Sequence, residues 1–119
     1  MRLLKLAATV ASDLALVACG LMIPAGCHVQ SALTPQQEEG KHLYATGCAH
    51  CHEENDLNLK KVPPNLHGVF NHKTLPDGAP ATDAEVERVL LAGKGLMPSF
   101  AYQMTQEQRN ALLAYLHAY

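Results

Sequence analysis

Cys48-Ala49-His50-Cys51-His52 is the most informative stretch of this chain, because C-x-x-C-H is the sequence form of covalent c-type haem attachment. Two thiols three positions apart can each add to a vinyl group on one edge of the porphyrin, and the adjacent histidine then reaches the iron. An iron porphyrin supplies one-electron chemistry that no side chain can. The stretch therefore predicts one covalently attached haem c, with Cys48 and Cys51 as attachment sites and His52 as an iron ligand.

The N-terminal region of the chain has the composition of an export signal. Arg2 and Lys5 form a short basic start, and the residues from 6 to 25 are almost wholly apolar and small. A membrane-spanning helix is the alternative, but Asp13 near its middle would be costly in hydrocarbon. We therefore predict an export or lipoprotein signal over 1–27, a linker over 28–33 and one domain over 34–119.

The other two cysteines lie in or beside this signal. Leu16-Val17-Ala18-Cys19 is similar to a bacterial lipobox, in which the cysteine is acylated, and such a lipid on Cys19 would tether the domain to a membrane. The apolar run continues past Cys19, which instead favours ordinary cleavage between 25 and 32. Both alternatives stay open, and Cys27 has no predicted role. With Cys48 and Cys51 committed to haem, no structural disulfide is expected.

Three helices are predicted in the domain. Thr34-Pro35-Gln36-Gln37 combines a capping hydroxyl, a proline at the first helical position and a glutamine that can reach back to the cap. This helix should run to about Thr46, with Gly47 ending it in the left-handed conformation. The stretch from 53 to 64 has neither a helical nor a strand period and predicts a loop.

The second and third helices begin at similar signals. Thr82-Asp83-Ala84-Glu85 predicts a capping box, and Gly93 should end that helix. Thr105-Gln106-Glu107-Gln108 begins the last helix, which runs towards Tyr119. The apolar residues of these two helices recur at helical spacing: Val86, Val89, Leu90, Leu112, Leu113 and Leu116. Three helices without an alternating strand pattern predict an all-α domain with long loops wrapped around the haem.

These motifs together resemble those of the small bacterial class I c-type cytochromes, including the single-haem modules of respiratory oxidase subunits. The resemblance covers residues 34–119 and implies that Cys48 and Cys51 form the thioether bonds and that His52 is the proximal ligand. Pro63-Pro64-Asn65-Leu66-His67-Gly68 is similar to the family's G-P-x-L-x-G loop, with Pro63 where glycine is usual. By this resemblance the carbonyl of Pro64 accepts a hydrogen bond from the proximal imidazole.

The distal ligand implied by the resemblance is Met97, in Gly95-Leu96-Met97-Pro98-Ser99-Phe100. A thioether is soft and uncharged, so it binds ferrous iron well and raises the reduction potential. Pro98 disfavours helix at Met97, and Gly93 and Gly95 allow a close approach to a flat ligand. The alternative is that Met97 only fills a gap in the core. The resemblance also implies a crossing of the terminal helices through five residues: Gly40, Tyr44, Leu112, Tyr115 and Leu116.

Two other site classes share part of the pattern. Cys48 and Cys51 followed by His67 and His72 fit a broad zinc-finger spacing, but prolines interrupt the segment that should carry the histidines, and His52 follows Cys51 directly. Net charge is −2 and no basic stripe exists, so nucleic acid is not an expected partner. Either histidine could also replace Met97 as distal ligand. A thioredoxin-like C-x-x-C lacks the βαβ pattern that should surround it.

Ligation by His52 and Met97 would leave the iron no vacancy for a substrate, which predicts an electron carrier and not an enzyme. The expected partners are a quinol-oxidising complex or dehydrogenase as donor and a terminal oxidase or reductase as acceptor. The expected location is the periplasm or the outer face of the cytoplasmic membrane, and the expected state is a monomer. The alternative function is a haem enzyme, or a sensor of gas or peroxide, with an open distal site.

Overall fold

Helix α1 spans Pro35–Gly47 in the computed structural model, which describes residues 32–119. Two predicted segments lie outside the described residues: the signal over 1–27, which contains Cys19 and Cys27, and positions 28–31 of the linker. The predicted capping box is present. The Thr34 hydroxyl accepts from the Gln37 N–H at 3.2 Å, and the Gln37 side chain accepts from the Thr34 N–H at 2.9 Å.

The prediction that Gly47 ends this helix in a left-handed conformation was wrong. Gly47 is the last residue of α1, and Cys48 after it is right-handed, with φ −117° and ψ −45°. The chain winds on because the Cys48 carbonyl at once accepts from the N–H groups of Cys51 and His52, at 3.1 and 2.9 Å. The result is a short second helix, α2, over Ala49–His52, so the attachment motif is itself helical.

A long loop follows α2, as the sequence predicts. Its one helical element is a 3₁₀ turn over Val69–Asn71, entered through Gly68 at φ 65°. Thr74 and Pro80 form an isolated antiparallel bridge, which makes residues 73–81 a small hairpin. No strand occurs among residues 32–119.

Helix α3 spans Asp83–Ala92, and only half of its predicted capping box forms. The Thr82 hydroxyl accepts from the Glu85 N–H at 3.3 Å, but the Glu85 carboxylate turns to Arg88 on the next turn, at 2.5 Å. The bidentate guanidinium contact occupies the carboxylate oxygens that would otherwise reach back to the cap. Gly93 ends α3 as predicted, at φ 72°.

Helix α4 spans Gln106–Ala118 and carries most of the core. Its capping box between Thr105 and Gln108 is complete, and its buried residues are Ala111, Leu112, Leu113, Tyr115 and Leu116. Within residues 32–119, none of the helices has both the length and the apolar character needed to cross a bilayer.

Helices α1 and α4 cross at Gly40, as the resemblance implied. A Cβ at Gly40 would overlap the backbone carbonyl of Ala111 and lie 2.7 Å from the Cβ of Tyr115, so the two helix backbones can approach only because this side chain is missing. Tyr44, one turn further along α1, packs against Tyr115 with ring centroids 5.5 Å apart. The all-α prediction is confirmed, with three main helices and long connecting loops.

Candidate functional site

The short helix α2 presents the side chains of the C-x-x-C-H motif. Cys48 precedes it, and Cys51 and His52 lie in it, one turn along, so the two thiols and the imidazole come from one turn of backbone. Both cysteines are partly buried, and neither is paired in a disulfide within the described residues. Burial, and secondarily the neighbouring Cys51, raises the pKa of the Cys48 thiol to about 11. A thioredoxin-like pair needs a lowered thiol pKa, so this environment opposes that interpretation.

The imidazole of His52 is fixed by the backbone of the long loop. Its Nδ1 lies 2.6 Å from the carbonyl oxygen of Pro64. A carbonyl can only accept, so Nδ1 carries the proton and donates it, and Nε2 keeps its lone pair. This is the tautomer that an iron ligand requires. The hydrogen bond from Nδ1 to the Pro64 carbonyl also makes Nε2 a stronger electron-pair donor to the metal.

The loop that supplies the Pro64 carbonyl is held by its own short contacts. The Asn65 side chain accepts from the His67 N–H at 2.7 Å, and the Leu66 carbonyl accepts from the Val69 N–H at 3.1 Å. Gly68 is buried at φ 65°, a conformation that other residues adopt with strain. Leu66 packs against the core, so the carbonyl of Pro64 is placed by a fixed turn.

Met97 lies in a tight hairpin after α3. Its N–H donates to the Lys94 carbonyl and its carbonyl accepts from the Lys94 N–H, both at 3.0 Å, around Gly95 at φ 60°. Gly93 passes so close that a Cβ there would be 2.7 Å from the Met97 carbonyl oxygen. The Met97 side chain is partly buried and packs against the core.

The exit from this hairpin is tied back to α3. Phe100 donates its N–H to the Leu90 carbonyl at 2.8 Å, and the Ser99 hydroxyl donates to the Leu91 carbonyl at 2.6 Å. This role of Ser99 is not predicted by the sequence, where its only signal is the position two residues after Met97. The hairpin is therefore anchored on both sides to the last turn of α3.

A recess adjoins Cys48. Its other lining residues are mostly apolar: Leu43, Thr46, Gly47, Leu90, Phe100, Gln103 and Met104. A second, more polar recess lies along the loop from Asn65 to Pro76 and reaches none of the cysteines or proposed ligands. A porphyrin needs apolar walls beside its attachment sulfurs and one imidazole nitrogen left free for the iron. Cys48 beside apolar side chains and the free Nε2 of His52 supply both, so the residues fit a haem.

The zinc-finger set is not assembled in the described part of the chain. Among residues 32–119, the single group of three or more possible ligands within reach of one another is His50, Glu54 and Asp56, all exposed. His67 instead packs edge-on against Tyr119, with ring centroids 4.8 Å apart. The spacing that suggested zinc therefore has no counterpart in the geometry.

An aromatic cluster that sequence reasoning did not predict packs near the end of α2. The ring centroid of Tyr119 lies 5.0 Å from that of Tyr44 and 5.1 Å from that of Tyr115. The Tyr119 hydroxyl donates to the carboxylate of Glu53, the residue that follows His52 in the chain. Burial, and then the charge of Glu53, raises the pKa of Tyr44. The cluster ties the end of α4 to the end of α2. It went unnoticed because Glu53 and Tyr119 are 66 positions apart.

Comparison with known proteins gives the family. The family described as cytochrome C oxidase, cbb3-type, subunit III matches residues 35–116. A cytochrome c from Kluyveromyces lactis is 34% identical over 65 residues, covering 54% of this chain and 59% of the relative. A cytochrome c from Stellaria longipes is 40% identical over 48 residues, covering 40% of this chain and 44% of the relative.

The chain thus spans 44 to 59% of the length of these two curated relatives, and no solved structure matches it. The predicted resemblance and the predicted cofactor, one covalently attached haem c, are confirmed. The two cytochromes c are electron-transfer proteins and not enzymes, in line with the predicted role. With its match over 35–116, the chain belongs to the family of the cytochrome C oxidase, cbb3-type, subunit III.

Proposed function

We propose that this protein is a single-electron carrier whose haem c is attached through Cys48 and Cys51 and ligated by His52 and Met97. The observation that carries the proposal is the 2.6 Å hydrogen bond from His52 Nδ1 to the Pro64 carbonyl, beside two partly buried thiols. It leaves Nε2 as the one imidazole atom with a free lone pair. Family membership supports the cofactor.

Each proposed site residue has one task. The bound haem supplies reversible one-electron exchange at its iron. Cys48 and Cys51 hold it permanently, and the Pro64 carbonyl fixes the orientation of the His52 ring and strengthens its donor nitrogen. The helical turn of α2 places the side chains of Cys48, Cys51 and His52 on one short segment, so attachment and ligation can occur together.

Met97 is the proposed distal ligand, because its backbone is held in a tight hairpin and its side chain is partly buried against the core. The Gly93 N–H donates to the Val89 carbonyl at 2.7 Å and the Ser99 hydroxyl to the Leu91 carbonyl at 2.6 Å, so the backbone of the hairpin is held to α3 on both sides. A six-coordinate iron needs little rearrangement when an electron arrives or leaves, which suits a carrier. The alternative is an open distal site in a haem enzyme or a sensor of gas or peroxide.

The proposed setting is respiratory electron transfer outside the cytoplasm. We infer a quinol-oxidising complex or dehydrogenase as donor and a terminal oxidase or reductase as acceptor, supported by the family's description as an oxidase subunit. Domains of this type are typically exported. This supports a signal over 1–27 and a haem domain over 34–119, in the periplasm or tethered to the outer face of the membrane through a lipid on Cys19. The proposed state is a monomer that does not bind nucleic acid.

Mass spectrometry of the mature protein tests attachment. We expect the mass of the polypeptide plus one haem to survive denaturation, and the same spectrum reports the cleavage point and any acyl chain on Cys19. Cys48→Ala and Cys51→Ala should each leave a single thioether bond. Release of the pigment from the denatured wild-type protein would exclude covalent attachment.

Replacement of Met97 by leucine tests the distal ligand, with Met104→Leu as the matched control. Met104 is also partly buried and packs against the core, and leucine conserves the volume of both side chains. Met97→Leu should abolish the weak ferric absorption band at the red end of the spectrum and lower the reduction potential. Met104→Leu should keep the band; because Met104 lines the recess beside Cys48, the band and not the potential is the readout for this control. A wild-type protein with a high-spin ferric spectrum and immediate binding of external ligands would favour the open-site alternative.

A further inference from the structure

An ion pair joins the Met97 hairpin to a distant part of the chain. The Lys94 ammonium contacts the Asp77 carboxylate, and the two residues are 17 positions apart. Asp77 lies in the hairpin that leads into α3, and Lys94 lies in the hairpin that leaves it. The ion pair therefore links the segments at the two ends of α3.

The Asp77 end of this link is held in place. Its second carboxylate oxygen accepts from the Ala79 N–H at 3.1 Å, and the turn is closed by Leu75, whose N–H donates to the Ala79 carbonyl at 2.7 Å. The Leu75 side chain packs against the core. Asp77 is thus an anchored acceptor and not a freely moving surface carboxylate.

The Lys94 end connects directly to the proposed ligand. Lys94 and Met97 exchange two backbone hydrogen bonds of 3.0 Å, so they move as one unit around Gly95. A displacement of Met97 away from its position would have to carry the backbone of Lys94 with it. Any force that holds the Lys94 side chain therefore also restrains Met97.

We propose that Asp77 and Lys94 are positioning residues, whose ion pair holds the Met97 hairpin in place for axial ligation and opposes displacement of the thioether by external ligands. This inference rests on the proposed function of Met97. The Lys94 side chain is 51% exposed and that of Asp77 is 29% exposed, so solvent weakens the pair. An ion pair of this exposure should shift the balance between bound and released methionine by about two- to five-fold.

Imidazole titration of the ferric holoprotein measures this balance, because imidazole binds only where the methionine has left the iron. Asp77→Asn removes the charge but keeps an oxygen for the Ala79 N–H. Lys94→Gln removes the cation and also excludes the Lys94 amine as a competing ligand. We expect each variant to lower the apparent Kd for imidazole by about two- to five-fold.

Two further variants separate positioning from general charge effects. Glu38→Gln breaks a comparable exposed ion pair with Lys41 on α1, 4.0 Å between charged atoms, and should leave the Kd unchanged. Lys94→Arg keeps the cation and should retain the wild-type value. A merely structural contribution would lower the thermal midpoint without lowering the Kd for imidazole, and this result would overturn the proposal.

The remaining outcomes are also decisive. If both Asp77→Asn and Lys94→Gln bind imidazole with wild-type affinity, the ion pair has no positioning role. If Glu38→Gln lowers the Kd for imidazole as much as they do, the effect comes from net charge alone. Failure of the proposed function looks different. In that case the wild-type protein itself lacks the ferric methionine band, and Met97→Leu binds imidazole with the affinity of the wild type.

Discussion

His52 Nδ1 donates to the carbonyl oxygen of Pro64 across 2.6 Å, and the two residues are 12 positions apart. The acceptor is a backbone atom, so no substitution of the Pro64 side chain can remove it. The proline ring acts indirectly, because it fixes φ and limits the conformations in which the carbonyl points elsewhere. The strength of the bond thus depends on the stiffness of the loop.

Pro64→Gly should therefore loosen this hydrogen bond without abolishing it. Without the ring, the opened loop gains backbone freedom worth about 0.4 to 1 kcal/mol. The hydrogen bond should therefore open about two- to five-fold more often. Exchange of the Nδ1 proton with solvent, followed by NMR, should accelerate by that factor. Pro63→Gly is the matched control and should exchange close to the wild-type rate. Equal rates in the two variants would show that Pro64 has no special role in orienting His52.

The sequence predicted features that depend on neighbouring residues. The caps at Thr34 and Thr105 each join positions three apart, and both formed completely. The cap at Thr82 formed only by half because Arg88, one turn later, competes for Glu85. The error at Gly47 has a similar origin, since the motif that follows continues the winding of the chain instead of reversing it.

Contacts between distant segments were not predictable from one sequence. The Lys94–Asp77 pair and the hydrogen bond from Tyr119 to Glu53 depend on how loops and helix ends pack, and no local pattern encodes that. The crossing at Gly40 was anticipated only through the family resemblance. A glycine in a helix does not by itself reveal which backbone lies against it.

Gly40→Ala should destabilise the protein through this crossing. The added Cβ would overlap the Ala111 carbonyl. Gly40 and Ala111 both lie in helices, so neither backbone can move away without disrupting its helix. We expect a loss of about 2 to 3 kcal/mol in the free energy of unfolding of the holoprotein, measured by chemical denaturation.

The control for this variant is Gly47→Ala. Gly47 is also in α1, but the nearest atom to an added Cβ is Phe100 Cε1 at 3.9 Å, an ordinary contact. Its free energy of unfolding should be unchanged or rise by up to about 0.5 kcal/mol, since alanine favours the helix. A similar loss in both variants would mean that helix propensity, and not the close approach to α4, governs Gly40.

Thr105→Ala should weaken the start of α4. The hydroxyl accepts from the Gln108 N–H at 3.3 Å, and without it this N–H loses its partner in the first turn of the helix that carries most of the core. A loss of about 1 kcal/mol in unfolding free energy is expected. Thr105→Ser keeps the hydroxyl and should stay within a few tenths of a kcal/mol of the wild type. If serine costs as much as alanine, the methyl group and not the cap is responsible.

The hydrogen bonds that Glu87 on α3 accepts from α4 should respond to acid. Its carboxylate accepts from Gln106 Nε2 at 2.9 Å and from Arg109 Nε at 3.0 Å, and these hydrogen bonds lower the pKa of Glu87 from its ordinary value of 4.5. A group with a lowered pKa in the folded state binds protons more tightly when unfolded. Its stabilisation is therefore complete above the ordinary carboxyl pKa and disappears as the pH falls through the lowered value.

Thermal unfolding of the holoprotein from neutral pH to about pH 3 tests this link, with Glu87→Gln compared against the wild type. The wild-type protein should have the higher midpoint near neutral pH. The difference should begin to shrink as the pH falls below about 4.5, where the unfolded chain takes up the proton, and should vanish below the lowered pKa of Glu87 in the folded chain, where both variants are uncharged at this position. Glu39→Gln, at an exposed position on α1, is the control and should change the midpoint little at neutral pH. If the difference in midpoint between the wild type and Glu87→Gln stays undiminished down to pH 3, the effect of the substitution comes from the shape of the side chain and not from the charge of the Glu87 carboxylate beside Arg109.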